Sequence, residues 1–441
     1  MRFVRDTIIT FSATILGVIL ALISTILVAR VLGPEGKGGY SLLLLIPTML
    51  GFAGNLGLGI ANAYFGGSKK AGWSELVSNS TISGLVVGTA LAGGFAAYYF
   101  AYHPYFLREV EWKWLVAALP IVPLDLLRTY FNHSLLGQKR IRAYNVMQVV
   151  PGLLSLVLVA VVLGLNGGVL GVVLTATVHV GISAVLSLLL VLRETKITWS
   201  FHPRLFLDSV RYGMQGHLGN IIQFFNYRLD MLMLAYFMDL GEVGYYSIAV
   251  MLAEALWYFP STVGTMIFAR TIGLSTDEAN QTTPRICRNT LLITLLEALA
   301  VFLLGRYVIL LLYGSDFLPS VRPLWILLPG VVSLSVYKVL GNEIAGRGKP
   351  LINTIAAAVS LAVNASLNWL LIPRWGMSGA AFASTVSYTV TAVVTLVVFT
   401  RMSGNSWFDT IVVKGEDLKS YMKLATSAKS AILAATRRSH R

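Results

Sequence analysis

Charged side chains that fall inside long apolar stretches of the sequence are its candidates for chemistry. Each costs several kcal/mol in a membrane-like interior unless it faces a cavity or a partner. Arginine and lysine in such a cavity suit phosphate oxygens, whereas buried carboxylates suit protons or cations. The residues are Arg30, Asp125, Arg128, Arg228, Asp230, Glu254, Glu297, Arg306, Lys338 and Glu343.

Two close pairs narrow this set. Asp125 and Arg128 are three residues apart on one helix face, so they can neutralise each other or Arg128 can serve a ligand. Arg228 and Asp230 project about 200° apart on a helix, so one faces a neighbouring helix and the other a cavity. We place Arg228 first among the candidate substrate-binding residues.

Lys338 has no carboxylate one turn away on its own helix. Its partner is therefore Glu254, Glu297 or a ligand. Arg30 lies near a predicted helix end, where its side chain can also extend to the interface. The sequence thus predicts substrate contacts from Arg30, Arg128, Arg228 and Lys338. Asp230, Glu254 and Glu297 are the candidates for ion coupling.

Catalytic motifs do not stand out in the sequence. The single cysteine, Cys287, and six scattered histidines give no metal-ligand spacing, and no Ser/His/Asp arrangement is visible. We expect a protein that is not an enzyme and that uses no cofactor or metal.

The elements that position these charges are long apolar helices. The chain has 441 residues, of which 56% are hydrophobic and only 12% charged, a composition that excludes a soluble enzyme. Between Asp6 and Arg30 about 23 residues carry no charge, roughly 35 Å of helix, enough to cross a hydrocarbon core of about 30 Å. A glycine-rich turn, 32–41, then leads into a second apolar run. We predict twelve transmembrane helices at 7–32, 39–65, 78–102, 113–136, 143–165, 168–192, 212–238, 243–270, 288–312, 322–345, 350–372 and 377–400.

The pattern of the first half returns in the second. Asn145 matches Asn353, and Gly168 matches Gly376, at an offset of about 208 residues. Six helices per half make the repeat parallel, with its axis along the membrane normal. The expected fold is all-α, with two pseudo-symmetric six-helix bundles around a central cleft. Its parts are an N-terminal bundle at 1–193, a cytoplasmic linker at 194–211, a C-terminal bundle at 212–401 and a basic tail at 402–441.

Lysine and arginine are concentrated on one side of this topology, so both termini are predicted to be cytoplasmic. That asymmetry explains the formal charge of +14 without nucleic-acid binding. In the tail, Leu418, Tyr421, Met422, Ala425 and Ile432 recur at helical spacing. A basic amphipathic helix on the inner leaflet and a solvated tail both fit this pattern.

Several segments resemble the polysaccharide-transporter family, the Wzx-type oligosaccharide flippases of the multidrug, oligosaccharidyl-lipid and polysaccharide exporter superfamily. They are 11–14, 28–40, 345–349 and 368–373. The resemblance implies two bundles of twelve or fourteen helices in the cell membrane that move an undecaprenyl-diphosphate-linked oligosaccharide outward by alternating access. It also implies a lipid-linked substrate, membrane lipid around the chain, and a polysaccharide polymerase and chain-length machinery as partners. Relatives in this family use arginines that line their central cavity, and the resemblance implies that Arg128 and Arg228 would fill this role here.

An organic-cation antiporter of the same superfamily is the alternative. It would need unpaired carboxylates in the first bundle, where Asp125 stands beside Arg128. A membrane-embedded polymerase would need a large outer loop, and the predicted loops are short.

Overall fold

The computed structural model describes residues 2–271 and 273–417, which form fourteen α-helices and two short 3-10 helices, with no strand among them. The predicted all-α class is confirmed. The α-helices are α1 Arg2–Gly54, α2 Leu58–Gly67, α3 Trp73–Tyr102, α4 Trp112–Ala118, α5 Ile121–Gly137, α6 Ile141–Gly164, α7 Gly168–Leu192, α8 Pro203–Phe237, α9 Leu240–Ala255, α10 Tyr258–Thr271, α11 Thr276–Tyr313, α12 Val321–Gly346, α13 Pro350–Ser403 and α14 Trp407–Ile411. The 3-10 helices are Tyr105–Leu107 and Ser315–Ser320.

The two longest helices are each broken at a single glycine. α1 has 53 residues and α13 has 54, each about 80 Å if straight, far beyond the hydrocarbon core of about 30 Å. Gly33 in α1 (φ 68°, ψ −175°) and Gly376 in α13 (φ 54°, ψ −137°) leave the helical region. A side chain would strain both conformations. The glycine-rich turn predicted at 32–41 is therefore one residue long, and helix resumes at Pro34, a residue suited to a first helical position.

Eight helical stretches among the described residues are long and apolar enough to cross a bilayer, which makes the chain a multi-pass membrane protein. They are Ser12–Gly54, Trp73–Tyr102, Trp112–Gly137, Ile141–Gly164, Gly168–Leu192, Thr276–Tyr313, Ser315–Gly346 and Pro350–Ser403.

Several helix boundaries in the structure differ from the predicted ones. The predicted helix 39–65 is interrupted between α1 and α2, where Leu56 and Gly57 have positive φ angles. The predicted helix 243–270 is interrupted between α9 and α10. α8 begins with Pro203 inside the predicted linker, because proline fits a helix N-terminus.

α11 starts at Thr276, earlier than predicted. The cause is a capping box, in which the Ser275 side chain and the Glu278 side chain each satisfy the other's backbone N–H. Beyond Gly404 the chain returns to α11, where α14 packs against it. The predicted amphipathic helix of the tail depends on residues 418–441, which lie outside the described residues.

The packing brings early and late helices together. α1 packs against α6 and also against α9, while α8 and α12 both pack against α13. The α1–α9 contact is part of the largest core cluster: Leu42, Leu43, Tyr246 and Ile248 are all fully buried in it. A cavity lies beside this contact, and its lining includes Arg228, Glu254 and Lys338, three of the charged residues singled out from the sequence.

Candidate functional site

A cavity of about 680 Å³ lies between α1, on both sides of the break at Gly33, and the helices α8, α9, α10 and α12. Its lining residues are Thr25, Lys37, Tyr40, Ser41, Leu44, Leu45, Thr48, Arg228, Met231, Ser247, Val250, Met251, Glu254, Ala255, Trp257, Tyr258, Ser261 and Lys338. We call it the charged cavity, because three of these side chains are cations and one is a carboxylate.

Arg228 on α8 reaches across to Glu254 on α9. Its Nη1 donates to Glu254 Oε1 at 2.7 Å and its Nη2 to Oε2 at 2.9 Å, a two-point match between a planar guanidinium and a carboxylate. Both side chains remain partly exposed to the cavity, at 29% and 20%. The pair is therefore reachable by a ligand.

Lys338 on α12 sits between aromatic rings. Its Nζ lies 5.4 Å from the Tyr227 ring centroid and 5.1 Å from that of Trp257, within the range of cation–π attraction. Among the described residues, no carboxylate comes within 4.0 Å of this ammonium group. Trp257 is available for this contact because it stands in the break between α9 and α10.

Lys37 is the cavity residue that sequence reasoning missed. It falls within the glycine-rich turn predicted at 32–41, but helix resumes at Pro34, so Lys37 lies in the first turn after the break and is only 5% exposed. Its Nζ donates to Ser41 Oγ, one turn along the same helix, at 2.5 Å. The spacing of four residues between Lys37 and Ser41 could have indicated this position, because such residues lie on the same face of a helix.

The charge balance of the cavity is positive. Lys37, Arg228 and Lys338 against Glu254 give a formal charge of +2 on the described lining residues. Because the protein walls of a cleft have a low dielectric constant, such an excess attracts an anion more strongly than it would in bulk water. The cavity is therefore suited to a dianion.

The other predicted cations have different surroundings. Arg30 on α1 donates to the carbonyl oxygens of Leu311 and, at 2.8 Å, Leu312, at the C-terminal end of α11. A cation there complements the negative end of a helix dipole. Arg128 on α5 pairs with Asp125, its Nε 2.9 Å from Asp125 Oδ1. Neither Arg30 nor Arg128 is among the described residues that line the charged cavity. The structure therefore brings Arg228 and Lys338 together but not the other two predicted substrate contacts.

The candidate coupling carboxylates are separated. Glu254 is the partner of Arg228, as above, whereas Glu297 is half-buried on α11, with one carboxylate oxygen lacking a partner among the described residues. Asp230 is 2% exposed; it accepts hydrogen bonds from the Tyr246 hydroxyl, from Ser384 Oγ at 2.9 Å and from the Met231 N–H at 2.7 Å. Asp230 thus joins α8, α9 and α13 behind the cavity wall.

Consecutive residues, Arg108 and Glu109, close one end of the α8–α9 pair. Arg108 donates to the carbonyl oxygens of Tyr236 at 3.0 Å and Met238 at 2.8 Å, at the end of α8. Glu109 accepts the N–H of Leu240, the first residue of α9, at 3.0 Å. Each charge faces the helix end of opposite sign. We call these contacts the helix-end clamp.

A backbone contact lies close to this clamp. A Cβ on Gly38 of α1 would stand 1.7 Å from the carbonyl oxygen of Leu240, and one on Gly244 of α9 would stand 2.0 Å from that of Pro34. Glycine at both positions therefore lets α1 and α9 touch through their backbones, beside the end of the charged cavity that contains Lys37.

Two curated proteins are similar to part of this sequence. An uncharacterized membrane protein of Methanocaldococcus jannaschii is 26% identical over 198 residues, which are 43% of this chain and 38% of that protein. The probable low-salt glycan biosynthesis flippase Agl15 of Haloferax volcanii is 22% identical over 196 residues, 44% of this chain and 41% of the relative. The matched segment spans about two fifths of the length of these curated relatives.

Solved structures share the fold over most of the chain. An inward-facing multidrug resistance MATE transporter of the MOP superfamily has a TM-score of 0.75 and 16% identity, over 90% of this chain and 98% of the other. The lipid II flippase MurJ, in an inward closed conformation, has a TM-score of 0.75 and 15% identity, over 91% and 90%. The model of the family described as polysaccharide biosynthesis protein matches residues 3–268, and the chain belongs to that family.

Proposed function

We propose that this protein is a flippase that moves an undecaprenyl-diphosphate-linked oligosaccharide from the inner to the outer leaflet of the cell membrane. The observation that carries the proposal is the charged cavity, with its formal charge of +2 from Lys37, Arg228, Lys338 and Glu254. A lipid-linked sugar joined through a diphosphate diester carries two negative charges, which match this excess. The name of the Haloferax volcanii relative supports the same class of cargo.

Each cation would contribute differently to binding the diphosphate. The planar fork of Arg228 suits two phosphate oxygens, and it is held in place by Glu254 until a ligand arrives. Lys37 and Lys338 are point charges with no carboxylate within 4.0 Å among the described residues. A diphosphate would complete the partners of both. In this proposal Arg30 and Arg128 hold helices in place rather than bind substrate.

Twelve crossings in two six-helix bundles are the arrangement we infer around the cavity. The breaks at Gly33 and Gly376 divide α1 and α13 into two crossings each, and α9 with α10 would form another. The N-terminal bundle would end near residue 193 and the C-terminal bundle near 401, with both termini cytoplasmic. Rocking of one bundle against the other would expose the cavity to alternate sides.

The energy for outward movement has two candidate sources. An inside-negative potential contributes roughly 2.3 kcal/mol per 100 mV for each negative charge moved outward. A coupling ion or proton is the second source, and among the three carboxylates we favour Asp230. It alone links three helices, two of which, α8 and α9, also line the charged cavity.

An organic-cation antiporter is the second candidate, favoured by the fold shared with a MATE transporter. The charge of the cavity counts against it, because a positive site repels a cationic cargo. Catalysis is not part of either proposal.

A transport assay in proteoliposomes tests whether the protein is a flippase or an organic-cation antiporter. We expect flipping of a fluorescent undecaprenyl-diphosphate sugar by the intact protein, reduced about tenfold or more in Arg228→Ala and in Lys338→Ala, because charge-assisted hydrogen bonds contribute about 1.5–3 kcal/mol. Lys113→Ala, an exposed cation outside the cavity, is the matched control. Equal transport by all variants, or proton-driven efflux of an organic cation in place of lipid flipping, would overturn the proposal.

A further inference from the structure

A second cavity, of about 910 Å³, adjoins the charged cavity. It lies between residues 212–227 of α8, the last turns of α12 and the start of α13, and it is also lined by Phe52, Ile60 and Phe268. Lys338 lines both cavities, and its Nζ is near the ring of Tyr227, which lines the second. The two cavities therefore meet at Lys338.

The chemistry of the second cavity differs from that of the first. Five carboxamide side chains line it: Gln215, Asn220, Gln223, Asn342 and Asn353. The rings of Tyr212, Phe224 and Tyr337 supply flat apolar faces. Among its described lining residues Lys338 is the one charged side chain. We call it the amide cavity.

Two carboxamides that line the amide cavity have buried acceptor oxygens without a partner among the described residues. Gln223 is 9% exposed, and its Oε1 accepts no hydrogen bond among the described residues. Asn353 donates its Nδ2 to the Gly341 carbonyl oxygen at 2.7 Å, which fixes the amide plane, while its Oδ1 has no partner in the same part of the chain. Buried amide oxygens without partners are costly unless a bound group donates to them.

The carboxamides of the amide cavity determine which ligand groups can bind there. Hydroxyl and amide N–H groups donate to carboxamide oxygens and also accept from carboxamide N–H₂ groups. A carboxylate or phosphate in this space would lose its hydration without gaining an unshared cation, since Lys338 already faces the charged cavity. The volume is near the upper end of the range of about 300–1,000 Å³ typical of small-molecule sites.

We propose that the amide cavity binds the sugar units that follow the diphosphate, and that it selects uncharged sugars, bearing hydroxyl or N-acetyl groups, over acidic ones. This inference rests on the proposed function, which places the diphosphate in the charged cavity. On binding, the side chains of Gln223 and Asn353 turn their buried oxygens toward the sugar and accept hydrogen bonds from it, and the aromatic rings pack against its apolar face. Lys338 marks the boundary between the phosphate and the first sugar.

Binding measurements with three probes test the proposal on the full chain in detergent or nanodiscs. The probes are undecaprenyl diphosphate without sugar, undecaprenyl diphosphate carrying N-acetylglucosamine, and the same lipid carrying a uronic acid. The variants are Gln223→Ala and Asn353→Ala. Gln148→Ala on α6 and Asn289→Ala on α11 are matched controls outside both cavities.

The expected result is a loss specific to the sugar. Each variant should bind the N-acetylglucosamine lipid about tenfold more weakly, the effect of one lost hydrogen bond in an enclosed site, yet bind the sugar-free lipid as the intact protein does. The intact protein should also bind the uronic-acid lipid more weakly than the N-acetylglucosamine lipid. Retained binding of the sugar-free lipid shows that a variant is folded.

Other outcomes separate this inference from the proposed function. Equal affinity of the variants and the intact protein for the N-acetylglucosamine lipid overturns the sugar site, as does preference for the uronic-acid lipid. Failure of the intact protein to bind the sugar-free lipid, or no loss in Arg228→Ala with that probe, overturns the charged cavity as the diphosphate site. A variant that does not fold is replaced by Gln223→Asn, which keeps the amide but shortens its reach and should show the same sugar-specific loss.

Discussion

Arg228 and Glu254 form a two-point ion pair between α8 and α9, with nitrogen–oxygen distances of 2.7 and 2.9 Å, at the wall of a cavity that holds two further cations. The carboxylate therefore moderates the charge of the site. A diphosphate competes with it for the same guanidinium.

Glu254→Gln should strengthen binding of undecaprenyl diphosphate about tenfold and slow its transport. The substitution removes the competing carboxylate and raises the formal charge of the described lining from +2 to +3. Equilibrium binding and proteoliposome transport are the two measurements. Glu75→Gln, at an exposed position on α3, serves as control. Weaker binding in Glu254→Gln would instead assign Glu254 the role of positioning Arg228.

Lys37→Met should weaken binding of the same lipid about tenfold or more, because it removes a buried cation while keeping a flexible side chain of similar length. Lys113→Met is the exposed control. Unchanged binding in Lys37→Met would mean that Lys37 stabilises the start of the helix after Gly33 through Ser41 and does not reach the ligand.

Arg108→Gln and Glu109→Gln should make the charged cavity more accessible, because each removes one charge from the helix-end clamp. The readout is labelling of Ser261→Cys, a cavity position, by a membrane-impermeant maleimide. The native Cys287 is fully buried and gives a low background. We expect labelling several-fold faster than with the clamp intact. Lys113→Gln, which follows the clamp in the chain, should leave the rate unchanged; equal rates in all variants would contradict a closing role.

Gly38→Ala should destabilise the protein by about 1–3 kcal/mol, the usual cost of forcing an extra methyl group into a packed contact. The added Cβ would stand 1.7 Å from the Leu240 carbonyl oxygen, so α1 and α9 must separate. Thermal unfolding measures the change. Gly93→Ala on α3, where a Cβ would meet nothing within 4 Å, should raise stability slightly, because alanine favours helix.

Acidification should release the segment around α14. Asp417 is 1% exposed and accepts hydrogen bonds from Arg288, with Nη2 3.1 Å from Oδ1, and these bonds lower the pKa of the carboxyl group. A lowered folded-state pKa means that the stabilisation is complete above the ordinary aspartate value of about 3.9 and is lost as pH falls through the folded-state pKa. Amide hydrogen exchange in α14, corrected for its intrinsic pH dependence, should therefore accelerate at acid pH.

The Asp417→Asn variant should exchange rapidly in α14 at neutral pH as well, because Arg288 would be left buried with a neutral partner. Asp409→Asn, which breaks only the exposed pair with Lys414, is the control. Protection of α14 that does not change between pH 7 and pH 3 would contradict the role of Asp417.

Much of the fold followed from sequence because apolar length alone identifies membrane helices. The long uncharged runs predicted an all-helical, multi-pass protein, and the structure and the family match confirm that. The glycine-rich pattern predicts a turn over 32–41 that includes Lys37, whereas the break takes the single residue Gly33 and Lys37 lies in a helix. The position of a helix start thus decided whether a lysine was a loop charge or a cavity charge.

Partners across helices could not be predicted in the same way. The sequence offered Glu254, Glu297 or a ligand as the partner of Lys338, and the structure places the rings of Tyr227 and Trp257 beside its ammonium group. Residue spacing along one helix predicts same-face neighbours, as it did for Asp125 and Arg128. It carries no information about which helices touch, so the Arg228–Glu254 pair and the clamp required the tertiary structure.

The helix-end clamp has a consequence for how this end of the protein can open. Arg108 and Glu109 are adjacent in the chain, and the helix ends they contact are joined by one short connection at 238–239. A displacement of that connection would therefore move both helix ends and weaken both contacts together. Opening at this end would therefore be cooperative, because the two contacts share one connection.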